Sequence, residues 1–152
     1  MNNEAIARRF HQLATLMEIR GDDPFRLRSY RNAGEAIETW PTPLKEISSR
    51  EGVAGLQAIP GVGKAIAGKI VELLDHGTFE AWEKLTAETP ATLLDLLEIS
   101  GIGPKTAAML HQRFNISSLD DLKEFAARGG LGLVDGIGPK TAGKIKQALE
   151  SL

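Results

Sequence analysis

Three copies of one twelve-residue pattern confine this chain to a helical fold. They are Ile59-Pro-Gly-Val-Gly-Lys-Ala-Ile-Ala-Gly-Lys-Ile70, Ile99-Ser-Gly-Ile-Gly-Pro-Lys-Thr-Ala-Ala-Met-Leu110 and Val134-Asp-Gly-Ile-Gly-Pro-Lys-Thr-Ala-Gly-Lys-Ile145. Each sets an apolar residue between two glycines, an alanine four residues after the second glycine, and an apolar residue three after that. The copies start 40 and then 35 residues apart, which marks an internal repeat. Spacings of four and three follow a helix, and the glycine pair interrupts one, so each unit reads as helix, tight turn, helix. Such a turn leaves unpaired N–H groups at the positive end of a helix, where a phosphate is readily held. Three such sites in one small chain point to a nucleic-acid backbone.

Each residue type in the pattern has a physical role. Gly61, Gly101 and Gly136 permit a turn conformation closed to other residues. Gly63, Gly103 and Gly138 keep the surface bare for a phosphate oxygen, while Val62, Ile102 and Ile137 plug inward and fix the turn. Pro104 and Pro139 suit a first helical turn, where no hydrogen bond is lost. Lys64, Lys105 and Lys140 place a cation beside each phosphate site, and Thr106 and Thr141 add hydroxyl donors. Ala67, Ala107 and Ala142 allow close helix packing. Contacts of this kind read no bases.

The periodicity predicts helices over 3–20 and 25–39, short ones over 43–49 and 52–58, then 63–75, 79–87 capped by Thr78, and 91–98 opened by Pro90. Further helices are expected over 104–114, from an N-cap at Ser118 to 128, and over 139–150. No alternating run supports a strand. The expected architecture is all-α, a helical bundle in two small subdomains: 1–76 with the first hairpin, a connecting helix in 77–89, and a tandem of hairpins in 90–152.

Composition narrows the function classes. With no cysteine, a disulfide scaffold, a thiolate metal site and a cysteine nucleophile are excluded. No apolar run approaches the roughly 20 residues of a membrane helix, so no membrane partner is expected. The net charge of −2 argues against indiscriminate polyanion binding. Charge is uneven, however: Arg20, Arg26, Arg28 and Arg31 cluster early and Lys140, Lys144 and Lys146 late. Seven acids against one base, Lys84, fill the stretch from Glu72 to Glu98. DNA contact should therefore be local, and the acidic stretch motivates a competing class, a non-catalytic protein-interaction scaffold.

The segment Asp23-Pro-Phe-Arg-Leu-Arg-Ser-Tyr-Arg-Asn-Ala33, followed by the first two hairpins, resembles the N-terminal region of family X DNA polymerases, especially the bacterial form. The resemblance covers almost the whole chain. It implies three helix-hairpin-helix motifs and non-sequence-specific binding of gapped or 5′-phosphorylated DNA in repair, in a cytoplasmic, nucleoid-associated protein. It also implies 5′-deoxyribose-phosphate lyase activity as an alternative. By position, Lys69 matches the family's Schiff-base lysine, Arg26 a lysine that holds the 5′-phosphate, Phe25 a ring that stacks on a base, and Tyr30 a tyrosine beside that pocket. Lys64 would share the phosphate. No cofactor is required, but the resemblance implies a monovalent cation, Na+ or K+, on backbone carbonyls. Those would be Gln57, Ile59 and Val62 in the first hairpin and Leu97, Ile99 and Ile102 in the second. The polymerase's metal-binding aspartates and the histidine-rich phosphoesterase domain have no counterpart in this sequence.

The lyase chemistry needs an amine nucleophile. A free lysine has a pKa of about 10.4, so reaction near neutrality calls for burial or neighbouring cations. Lys64 and Arg26 are the expected cations. The sequence departs from the family pattern at Ala65, where animal members often carry another lysine, and at Glu80 and Ala81, where bases would help bind phosphate.

Overall fold

The computed structural model describes residues 1–152. The chain is all-helical and divides into two units, Met1–Glu88 and Thr89–Leu152. No helix is long and apolar enough to cross a membrane.

The first unit holds α1 (Asn3–Arg20), α2 (Pro24–Glu38), α3 (Leu44–Leu56), α4 (Lys64–His76) and α5 (Glu80–Glu88). The Asn2 side chain caps α1 by accepting from the Ala5 N–H, and Gly21, in the left-handed region at φ 89°, ends it. Asp23 then accepts from the Phe25 N–H, and Pro24 sits at the first position of α2, where its missing N–H costs nothing. Apolar residues on one face of α1, among them Ile6, Phe10, Leu13, Leu16 and Met17, pack on Leu27, Tyr30, Ala33 and Ile37 of α2. At the centre, the Phe10 ring lies 6.1 Å from Tyr30 and 5.6 Å from Phe79.

The two short helices expected over 43–58 form α3, broken internally at Gly52 with φ 65° and ψ −151°. One expectation needs correction and another is refined. Thr78 does not cap α5: its hydroxyl donates to Glu83, and the Glu80 N–H donates instead to the Glu72 carboxylate at 2.7 Å. The connecting helix expected over 77–89 forms as Glu80–Glu88 within the first unit. Phe79 is fully buried against Phe10, which makes this stretch part of the first unit.

Asn3 closes this unit in a way that no local pattern announces. Its amide donates to the Trp40 and Thr42 carbonyls at 3.2 and 3.0 Å, and its oxygen accepts from the Leu44 N–H at 2.9 Å. One side chain thus replaces the helix ladder across the Pro41–Pro43 break. Asn3→Ala loses all three bonds and is expected to cost about 2 kcal/mol. Urea unfolding followed by tryptophan fluorescence reports this directly, since Trp40 and Trp82 both lie in the first unit. An unchanged midpoint would show that water replaces the asparagine without loss.

The second unit holds α6 (Leu93–Leu96), α7 (Pro104–Phe114), α8 (Leu119–Ala127), a 3₁₀ turn (Gly130–Leu133) and α9 (Pro139–Glu150). Spans α7 and α9 coincide with the sequence expectation. The Ser118 hydroxyl accepts from the Asp121 N–H at 3.1 Å, and the Asp121 carboxylate accepts from the Ser117 N–H at 3.0 Å. That backbone bond holds the Asp121 carboxyl below its ordinary range. The helix expected over 91–98 shrinks to four residues, flanked by i to i−3 bonds such as Leu93 to Pro90 and Ile99 to Leu96. The third hairpin likewise has the 3₁₀ turn, not an α-helix, as its first arm. Gly130 is required there because a Cβ would meet the Phe125 ring at 2.4 Å.

Candidate nucleic-acid interface

The three repeats adopt one backbone geometry. Gly61, Gly101 and Gly136 all lie in the left-handed region, with φ of 82°, 98° and 89°. The next residue turns back in each case: Val62 donates to Ile59 at 3.0 Å, Ile102 to Ile99 at 3.1 Å and Ile137 to Val134 at 3.1 Å. These three apolar side chains are buried, as their role as inward plugs requires. Gly63, Gly103 and Gly138 then cap α4, α7 and α9 in extended conformation.

No side chain caps these three helix starts. The first paired amides are Ala67 to Gly63, Ala107 to Gly103 and Ala142 to Gly138, each at 2.9 Å. The helix N–H groups ahead of them find no acceptor in the chain: those of Lys64, Ala65 and Ile66, of Lys105 and Thr106, and of Lys140 and Thr141. A Cβ built on Gly63, Gly103 or Gly138 meets nothing within 4 Å, so each turn opens on free space. Lys64, Lys105 and Lys140 are exposed and form no ion pair, which leaves a cation beside every turn. Each repeat thus offers unpaired amides, the positive end of a helix and a nearby cation to an anion.

The chain belongs to the helix-hairpin-helix domain family. The family model for a helix-hairpin-helix domain matches residues 1–79, and that for a SAM-like helix-hairpin-helix tandem matches 93–151. The chain is homologous over about four fifths of its length to the N-terminal region of family X polymerases. It is 31% identical over 124 residues to the DNA polymerase/3′-5′ exonuclease PolX of Bacillus subtilis, covering 82% of this chain and 21% of that protein. With DNA polymerase lambda of Arabidopsis thaliana it shares 30% over 122 residues, 80% of this chain and 22% of the relative. With DNA polymerase lambda of Rattus norvegicus it shares 32% over 127 residues, 82% and 20%. The match thus spans about a fifth of these relatives' length.

The helix-hairpin-helix turns are seated differently in the two units. In the first, a Cβ on Gly61 would lie 3.5 Å from the Ala33 nitrogen, so this turn rests on α2. In the second, a Cβ on Gly101 would lie 3.0 Å from the Thr141 methyl, which packs the second turn on α9. Ala67 and Ala107 are fully buried, whereas Ala142, expected to play the same part, is only half-buried. Its hairpin has no α-helical first arm to cover it.

The first unit also contains a cleft of about 410 Å³ lined by Leu13, Met17, Arg20, Arg26, Tyr30, Lys69, Glu72, Glu80, Ala81, Lys84 and Leu85. Three residues singled out from sequence, Arg26, Tyr30 and Lys69, meet here. The Lys69 ammonium lies 5.9 Å from the Tyr30 ring centre. Two expected partners do not line the cleft. Phe25 is 75% exposed, with the Arg28 guanidinium 5.9 Å from its ring. Lys64 sits outside because five residues separate it from Lys69, about 140° around a helix of 3.6 residues per turn.

Sequence reasoning missed that Arg20 and Lys84 complete the cleft. The Arg20 guanidinium is bound by Asp22 at 2.8 and 2.5 Å, which raises its pKa further and keeps it charged. Lys84 pairs with Glu80 at 2.9 Å, and that hydrogen bond and charge hold the Glu80 carboxyl below its ordinary range. The Glu80–Lys84 spacing of four was a legible signal for the pair; nothing local linked Arg20 to the same cleft.

Proposed function

We propose that this chain binds DNA through backbone phosphates at its three hairpins, without reading sequence, within a polymerase-like protein that acts on gapped or 5′-phosphorylated DNA in repair. The observation that carries this reading is the shared geometry of the turns, each with unpaired amides, an uncapped helix start and a free lysine. The cleft of the first unit supports the preference for a phosphorylated end, since Arg26 and Lys69 in it have no carboxylate partner. The exposed Phe25 ring is open to stacking on a base.

We propose that the first two hairpins also hold a monovalent cation, Na+ or K+, on their backbone carbonyls. The Ile59 and Ile99 carbonyls accept one hydrogen bond each, and those of Gln57, Val62, Leu97 and Ile102 accept none. The residues therefore offer three carbonyl oxygens per turn. Such an ion would add positive charge beside the unpaired amides.

The hairpin reading is tested by Gly63→Val, Gly103→Val and Gly138→Val, measured by fluorescence anisotropy on a gapped duplex. Each glycine has an extended backbone that valine adopts freely, and its Cβ meets open space. Helix content by circular dichroism should be unchanged. Affinity should fall about tenfold per engaged turn, roughly the loss of one charge-assisted hydrogen bond. The log–log salt slope should be about −2 to −3 if two or three phosphates are engaged. No loss in any variant would remove the hairpins from the interface. No binding even at low salt would favour the scaffold reading.

A second reading rests on Arg26, Tyr30 and Lys69 sharing one cleft. In it, Lys69 attacks the C1′ aldehyde of a 5′-deoxyribose phosphate and, with loss of water, forms an imine. Removal of a C2′ proton then breaks the C3′–O bond and leaves the DNA with its 5′-phosphate. Arg26 would hold the sugar's phosphate.

A further inference from the structure

Four cations line the first unit's cleft, and two of them are already occupied. Arg20 is clamped at two points by Asp22, a residue whose side chain is only 17% exposed. Lys84 is held by a single contact to Glu80, at 2.9 Å, between side chains 76% and 73% exposed. Glu80 is anchored from behind, because its own N–H donates to the Glu72 carboxylate at 2.7 Å. The backbone at Glu80 is thereby held in place, with an exposed carboxylate on the cleft wall paired to a lysine that an incoming anion would otherwise reach.

The two pairs differ in how easily they yield. An exposed pair four residues apart on a helix contributes little and is readily exchanged. A phosphate monoester carries about two negative charges and three strong acceptor oxygens, so it outcompetes one carboxylate for an ammonium. We infer that Glu80 is a built-in competitor for the terminal phosphate: the phosphate displaces it from Lys84, and Lys84 then joins Arg26 and Lys69 as a phosphate ligand. Glu80 thus holds the affinity of the cleft below what its cations alone would give. This inference rests on reading the cleft as the seat of a DNA 5′-phosphate.

The test compares two gapped duplexes that differ only in a 5′-phosphate or a 5′-hydroxyl, read by fluorescence anisotropy. Glu80→Gln keeps the backbone bond to Glu72 and should shift the melting temperature by about 2 °C or less. It should raise affinity for the phosphorylated duplex about two- to fivefold and leave the hydroxyl duplex unchanged. Adding Lys84→Ala to Glu80→Gln should cancel the gain. Arg26→Ala in the otherwise native chain tests the underlying reading separately. If the native chain prefers the phosphate and Arg26→Ala loses that preference, but Glu80→Gln gains nothing or gains equally on both duplexes, the competitor role is wrong while the cleft reading stands. If neither the native chain nor Arg26→Ala distinguishes the two ends, the cleft holds no phosphate and the inference fails with it.

Discussion

Phe10→Ala should remove a large share of the first unit's stability. The Phe10 ring is fully buried between Tyr30 at 6.1 Å and Phe79 at 5.6 Å, where it joins α1, α2 and the segment leading into α5. Truncating a phenylalanine in such a place costs about 3–5 kcal/mol, from lost burial and from the cavity left behind. A domain of this kind holds roughly 5–15 kcal/mol in all. With a urea slope of about 1–3 kcal/mol per molar, the midpoint should fall by about 2 M. Tryptophan fluorescence isolates the effect, because both tryptophans belong to the first unit. A fall under about 0.5 M would mean that the core does not close on this ring. Loss of phosphate-end binding should accompany the destabilisation, since Tyr30 is at once the stacking partner of Phe10 and a wall of the cleft.

Lys69→Ala should abolish covalent capture of a 5′-deoxyribose phosphate. The experiment is borohydride reduction of the chain on a gapped duplex that carries the sugar phosphate, which fixes an imine as a stable adduct. The native chain should give one adduct and the variant none above the protein-free control, with the fold unchanged because Lys69 is only half-buried. Lys84→Ala is the informative companion. Lys84 is the other lysine of the cleft, and its pairing with Glu80 makes it the poorer nucleophile. An adduct that survives Lys69→Ala but not Lys84→Ala would reassign the nucleophile. No adduct with native chain, while the same duplex is bound, would leave a binding module.

The helices that carry the hairpins were readable because their determinants are local. Pro104 and Pro139 fix the first turn, the spacing of Ala107 and Leu110, or of Ala142 and Ile145, fixes the face, and the glycine pair fixes the start. The Ser118 cap was readable for the same reason, as its partner lies three residues away. The left-handed φ of Gly61, Gly101 and Gly136 follows from needs that only glycine meets cheaply.

Where expectation and structure part, either a distant contact or the rotation of a helix is the cause. Thr78 loses its capping role because Glu72, eight residues before Glu80, reaches the same amide. Lys64 was expected to share the phosphate and to act as a cation near Lys69, but helical rotation turns it away from the cleft. Asn3 reaches across about forty residues to hold 40–44, and no pattern around it distinguishes it from a solvated asparagine.

The sequence by itself thus determined the repeated element: three glycine turns opening helices, with unpaired amides and a lysine at each. Backbone sterics and hydrogen bonds within four residues suffice for that. Packing between helices settled which side chains share the cleft, and that Arg20 and Lys84, each with a carboxylate partner close by in the chain, belong to it. Those are matters of which faces of separate helices meet. A linear pattern does not encode them, because they depend on which faces the packing of α1, α2, α4 and α5 turns toward one another.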